Sequence, residues 1–93
     1  MSELEDIGRY HQLRDQIDAA LRDRNGALVK VVGLTKNASE SPTSRYNIGR
    51  RYKADAVQRL VEEAAQHDET LRRLLVEIEP YALIAGKPVP TLE

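Results

Sequence analysis

The spacing of apolar residues at the start of the chain predicts an amphipathic helix. These residues recur every three or four positions and fall on one stripe: Ile7, Tyr10, Leu13, Ile17, Ala20 and Leu21. Ser2 and Glu5 have the spacing of a capping box, in which each side chain satisfies a free amide of the first turn. Asn25 and Gly26 form a pair that commonly ends a helix. We therefore predict a helix over 2–24.

The next segment has the composition of a strand. Residues 27–34 are rich in Val and Leu and lie between Gly26 and a polar run. Residues 44–48 alternate polar and apolar side chains, which is typical of a returning strand. The pattern predicts a β-hairpin over 27–48 with a long loop over 35–43. A short buried helix over 27–34 is the alternative, because periodicity alone does not separate the two.

A second, longer helix is predicted over 50–79, where neither Gly nor Pro occurs. Its heptad core positions are Val57, Leu60, Ala64, His67, Leu71, Leu74, Ile78 and Tyr81. The phase continues through the polar residues 66–70, which favours one helix over two shorter ones. Pro80 is expected to end or kink this helix, and residues 80–93 are predicted to form a tail that docks on its own domain.

Together these elements predict a single small domain over 1–93 with an α+β fold that is mainly α. The expected order is helix, β-hairpin and long helix, with the two helices forming a helical hairpin. The alternative is an arrangement of three helices. The long helix would span about 45 Å and the first about 33 Å, so part of the longer apolar stripe lacks a partner within the chain. We expect a homodimer in which a second copy covers that surface. The expected self-association residues are Val57, Leu60, Val61, Ala64, Leu71, Leu74, Leu75 and Ile78.

The composition excludes several classes of protein. The chain has 93 residues and no Cys, which excludes disulfide scaffolds, thiolate metal sites and cysteine nucleophiles. Its 14 basic and 15 acidic residues nearly balance, unlike those of a histone-like polycation. No apolar run approaches the roughly 20 residues that cross a membrane, and the first residues are acidic and polar, unlike a signal peptide. We expect a cytoplasmic protein without a membrane partner.

The charges are nevertheless segregated along the chain. Residues 45–53, hereafter the basic segment, contain four basic residues and no acidic one. Three of the four lie at the start of the predicted long helix, where the helix dipole favours anions instead. The predicted site for a partner or an anion consists of Arg45, Tyr46, Arg50, Arg51, Tyr52 and Lys53. The alternative is that Asp18 and Asp23 lie beside these bases and neutralise them.

No pattern typical of catalysis accompanies the basic segment. His11 and His67 are the only histidines, and neither belongs to a metal-ligand motif. We expect no enzymatic activity, no cofactor and no metal. Short, charged, α-rich chains of this kind are typical of small bacterial or bacteriophage accessory proteins. We therefore predict a non-enzymatic protein-interaction module, an adaptor, modulator or inhibitor; the alternative is an accessory protein that binds nucleic acid, a nucleotide or phosphate through the basic segment.

Overall fold

The fold is a hairpin of two long α-helices. The computed structural model describes residues 3–40, 46 and 48–92. Helix α1 is Glu3–Ser39 and helix α2 is Ala54–Ile84. They pack along their lengths in a rod measuring 70 × 19 × 18 Å. The described residues contain no strand, so the predicted α+β fold is wrong and the helical hairpin is what the chain forms.

The predicted β-hairpin over 27–48 is replaced by the second half of α1. Ala27, Val31 and Leu34 are helical and continue the spacing that buries Leu13 and Ile17 on the same helix. One face of α1 therefore goes on packing against α2. Intrinsic strand preferences span only about 1 kcal/mol and depend strongly on context, so burial of this face overrides them. The predicted returning strand is absent at residues 46 and 48, and its other residues lie outside the described ones.

Asn25 and Gly26 do not end α1. The Arg24 guanidinium donates to the Asn25 side-chain oxygen from Nε at 3.2 Å and from Nη2 at 3.1 Å. That oxygen is thus occupied by a neighbouring side chain and does not compete for backbone amides. Gly26 costs about 1 kcal/mol relative to Ala in a helix, which the packing of the flanking turns offsets. Ser2 of the predicted capping box lies outside the described residues.

Helix α2 is one continuous helix, as the unbroken heptad phase predicts. It begins at Ala54 and passes through both residues 66–70 and Pro80 before it ends at Ile84. The end is set by Gly86, whose φ of 67° is left-handed. The amides of Gly86 and Lys87 donate to carbonyls of the last helical turn, at 3.2 and 2.9 Å, in a Schellman arrangement. Pro80 removes one helical hydrogen bond, but it does not end the helix.

The hydrophobic core is concentrated away from the turn. Its buried members are Tyr10, Leu13, Ile17, Ala20, Leu71, Leu74, Ile78 and Ala82. Val89 and Leu92 of the tail pack against this cluster, as the predicted docking of the tail requires. We call residues 3–23 and 69–92 the terminal half and the described residues between 25 and 67 the turn half. The border is an ion pair between Arg24 Nη1 and Asp68 Oδ1, 3.0 Å apart and mostly buried.

Candidate functional site

The basic segment leads directly into α2. Lys53 is the residue before the helix, and its carbonyl accepts the first helical hydrogen bond from the Val57 amide at 3.1 Å. Its side chain does not cap the free amides of the first turn. The described members of the predicted site, Tyr46, Arg50, Arg51, Tyr52 and Lys53, are all exposed, and Arg45 lies outside the described residues.

The segment lies against the end of α1. Arg50 Nε is 3.8 Å from Glu40 Oε2, immediately beyond that helix. One groove is lined by Leu34, Asn37 and Ala38 of α1 on one side and by Arg50, Arg51 and Lys53 on the other. A second groove runs past Tyr52 toward Arg59 and is also lined by Arg51 and Lys53. Two basic side chains therefore line both grooves.

The alternative, in which Asp18 and Asp23 neutralise these bases, is wrong for the described ones, Arg50, Arg51 and Lys53. Asp18 pairs with Arg14 on its own helix, at 3.5 Å. The α1 residue of that groove nearest to Asp23 is Leu34, and about 16 Å of helix separates the two. Among the described residues between 31 and 61, five are basic and two are acidic: Lys36, Arg50, Arg51, Lys53 and Arg59 against Glu40 and Asp55. The turn therefore carries a local positive charge.

Most of the residues expected to self-associate are used inside the hairpin. Val57, Ala64, Leu71, Leu74 and Ile78 are buried against α1, and Leu60 and Leu75 are half-buried. The expected shortage of partners along α2 does not arise, because α1 has 37 residues and matches α2 in length. Val61 is the one residue of the set that is exposed, at 48%. The homodimer stays a prediction, and this residue is the one available to it.

The two histidines lie in different parts of the hairpin. His67 is half-buried, with Nε2 3.9 Å from Glu63 Oε1. His11 is exposed, and its ring meets that of Tyr10 edge-on at 5.2 Å. Since Arg24 pairs with Asp68, His67 lies about 20 Å along the rod from His11. No group of three potential metal ligands occurs among residues 3–40, 46 and 48–92.

Sequence reasoning missed several exposed apolar residues on the turn half. Leu28 and Val32 of α1 and Val61 of α2 are exposed large hydrophobic residues. Leu21 and Leu28 are seven residues apart and therefore lie on one side of α1. The prediction of a strand over 27–34 puts these two residues in different elements, so their shared side is not apparent from it. That spacing was the available signal.

Comparison of the chain with family models, with curated proteins and with solved structures gives no match. Within the described part of the chain, neither helix has a stretch long and apolar enough to cross a membrane.

Proposed function

We propose that this chain is a non-enzymatic interaction module that binds an acidic protein surface through its basic segment. It would act as an adaptor, modulator or inhibitor of the protein it binds. The observation that supports this proposal is the excess of exposed basic side chains at the turn, where five bases accompany two acids in the described residues between 31 and 61. The cytoplasmic location and the bacterial or bacteriophage accessory type expected from the sequence remain part of the proposal.

The position of the bases supports binding rather than stability. Arg50, Arg51 and Lys53 precede the first turn of α2, where the helix dipole disfavours positive charge. Among the described residues, neither Arg51 nor Lys53 forms an ion pair. Carboxylates of a partner would offset this unfavourable placement, and an arginine guanidinium can hold a carboxylate through two parallel hydrogen bonds. Tyr52, between the two, offers an exposed aromatic ring for contact.

The test is site-specific photo-crosslinking in a nuclease-treated extract. A photoreactive amino acid replaces Tyr52 in one variant and Val76, which is exposed on the terminal half, in another. We expect a discrete protein adduct from position 52 and none from position 76. Adduct formation should be lost when Arg50, Arg51 and Lys53 are all replaced by Glu.

The matched control carries Arg9→Glu, Arg22→Glu and Arg73→Glu, three exposed positions of the terminal half. It changes the net charge by the same amount and should retain the adduct at position 52. Loss of the adduct in both triple variants would mean that overall charge, rather than the basic segment, controls binding. Absence of any protein adduct at position 52 would contradict the proposal.

Nucleic-acid binding is the second candidate, favoured by the position of Tyr52 between Arg51 and Lys53. The Tyr52 ring is exposed. Many proteins bind single-stranded nucleic acid by stacking its bases on exposed aromatic rings that lie among positively charged side chains. Fluorescence anisotropy with a labelled single strand and a labelled duplex would measure it. Affinity that falls steeply between about 50 and 200 mM salt, and that disappears in the triple Glu variant of the basic segment, would favour this candidate over a protein partner.

A further inference from the structure

The groove between the end of α1 and the basic segment has an apolar floor and a basic rim. The floor is formed by Leu34 and Ala38, which are half-buried and four residues apart, and therefore lie on one face of α1. The rim is formed by the exposed side chains of Arg50, Arg51 and Lys53. The groove thus presents aliphatic carbon beside positive charge, and a ligand with only one matching feature uses only half of it.

The free volume of this groove suits one branched aliphatic side chain. It measures about 170 Å³. A cavity of about 150 Å³ between aliphatic and aromatic side chains accommodates benzene, which has six carbon atoms, whereas the side chain of leucine or isoleucine has four. The groove beside Tyr52 differs, because the acidic side chain of Asp55 is among those that line it.

The charges of the rim favour carboxylates as ligands. Arg50 Nε is already 3.8 Å from one carboxylate of the chain itself, that of Glu40. Among the described residues, Arg51 and Lys53 form no ion pair, and no acidic side chain lines this groove. Two of the three rim bases are therefore available to a ligand. Charge complementarity selects an acidic ligand, and the floor selects an aliphatic residue within it.

We infer that this groove binds a short acidic segment of a partner protein in which a leucine or isoleucine lies between two carboxylates. Successive side chains of an extended peptide point to opposite faces. The aliphatic side chain enters the groove, and the residues before and after it keep their carboxylates on the solvent side, where the long side chains of Arg51 and Lys53 are exposed. An inorganic phosphate or a phosphodiester backbone supplies charge but no aliphatic group. The inference rests on the proposed function and specifies what the basic segment recognises in the partner.

Three synthetic peptides with blocked ends test the class of ligand with the full chain. The first has the order Glu-Glu-Leu-Glu-Glu, the second has Ser in place of Leu, and the third has Gln in place of every Glu. Nuclear magnetic resonance titration at about 100 mM salt measures the three affinities. We expect the leucine peptide to bind about tenfold more tightly than the serine peptide, because half-burial of a leucine side chain contributes about that factor. The Gln peptide should bind too weakly to measure.

A substitution in the floor tests where the leucine binds. Ala38→Leu fills the groove without changing the charge, and leucine is favourable in a helix. This variant should bind the leucine and serine peptides equally. Ser39→Leu is the matched control, because Ser39 is the next residue, is exposed and does not line the groove. It should keep the tenfold preference, and circular dichroism shows whether both variants retain their helices.

Equal binding of the leucine and serine peptides to the wild type would overturn the inference and leave the proposed function in place, because recognition of acidic groups would not need the floor. A tenfold preference that persists in Ala38→Leu would also contradict it, since the leucine would then bind elsewhere. If neither acidic peptide binds, the inference is wrong, and the protein adduct at position 52 decides separately whether the proposed function survives. A single-stranded oligonucleotide that displaces the leucine peptide at lower concentration than the serine peptide does would assign the groove to nucleic acid instead.

Discussion

The terminal half and the turn half of this hairpin consist of the same two helices but differ in the size of their buried side chains. In the terminal half, large side chains such as Leu13, Leu71 and Ile78 are buried completely or almost so, and the tail adds a third layer. In the turn half the buried residues are Ala27, Val57 and Ala64, which are smaller, and more of the large apolar residues are exposed than in the terminal half. The basic segment is also found there.

This difference indicates a division between stability and recognition. Burial of large side chains supplies most of the stabilising free energy of a small domain, and three packed layers bury more than two. The terminal half can therefore hold the hairpin together while the turn half leaves apolar and basic groups accessible. Regions that bind partners are commonly drawn from the less stable parts of a structure.

The largest expected effect separates the two halves by their cores. Ile78→Ala, at a fully buried position of the terminal half, should lower the free energy of unfolding by about 3–4 kcal/mol. Val57→Ala in the turn half should lower it by about 1–2 kcal/mol. The substitution removes fewer carbon atoms than Ile78→Ala does, and it removes them from a less completely buried position. Urea unfolding followed by far-ultraviolet circular dichroism measures both. Equal losses would remove the distinction between the halves.

An intermediate effect should come from the tail. Val89→Ser with Leu92→Ser removes the two tail side chains that pack against the core, and should cost about 1–2 kcal/mol. The matched control, Lys87→Ser with Thr91→Ser, alters exposed tail positions and should change the stability by less than about 0.5 kcal/mol. Thermal unfolding of the two double variants side by side decides it. If the Val89→Ser and Leu92→Ser double variant is as stable as the wild type, the tail does not contribute to stability as a third layer of the terminal half.

The smallest effect should be a gain in stability from a substitution in the turn half. Gly33 lies inside α1, and a Cβ added there meets no atom, so Gly33→Ala should stabilise the protein by about 0.5–1 kcal/mol. Gly86→Ala should have the opposite sign, because the φ of 67° at the end of α2 is unfavourable for a residue with a side chain. Midpoints from denaturant unfolding report both signs. Loss of stability in Gly33→Ala would mean that its surroundings differ from those described.

Part of this architecture could be predicted from local pattern. The heptad spacing between Val57 and Ile78 identifies α2 as one helix, because residues that share a helical face need a common surface to bury them. The docking of the tail follows from its apolar content. The position of the basic segment at the start of α2 was also predictable. Its separation from Asp18 and Asp23 was not, because that distance depends on how far α1 extends.

Residues 27–34 mark where local pattern is insufficient. Three valines, with Gly26 before the segment and a polar run after it, favour a strand when the segment is considered alone. The same residues also carry the seam spacing of α1, with Ala27, Val31 and Leu34 on one face. Only the presence of α2 alongside makes that second pattern the stronger one, because burial against a neighbouring helix outweighs intrinsic preference.

The sequence alone determined the seam of α2, the absence of cysteine chemistry and the cluster of bases before α2. Each of these depends on residue type and on spacing within one element. The tertiary structure decided that α1 passes through Gly26, that α2 passes through Pro80, and that the tail covers only one half of a flank. These outcomes depend on contacts between residues far apart in sequence, where the free energy of packing exceeds the local cost of a glycine or a proline in a helix.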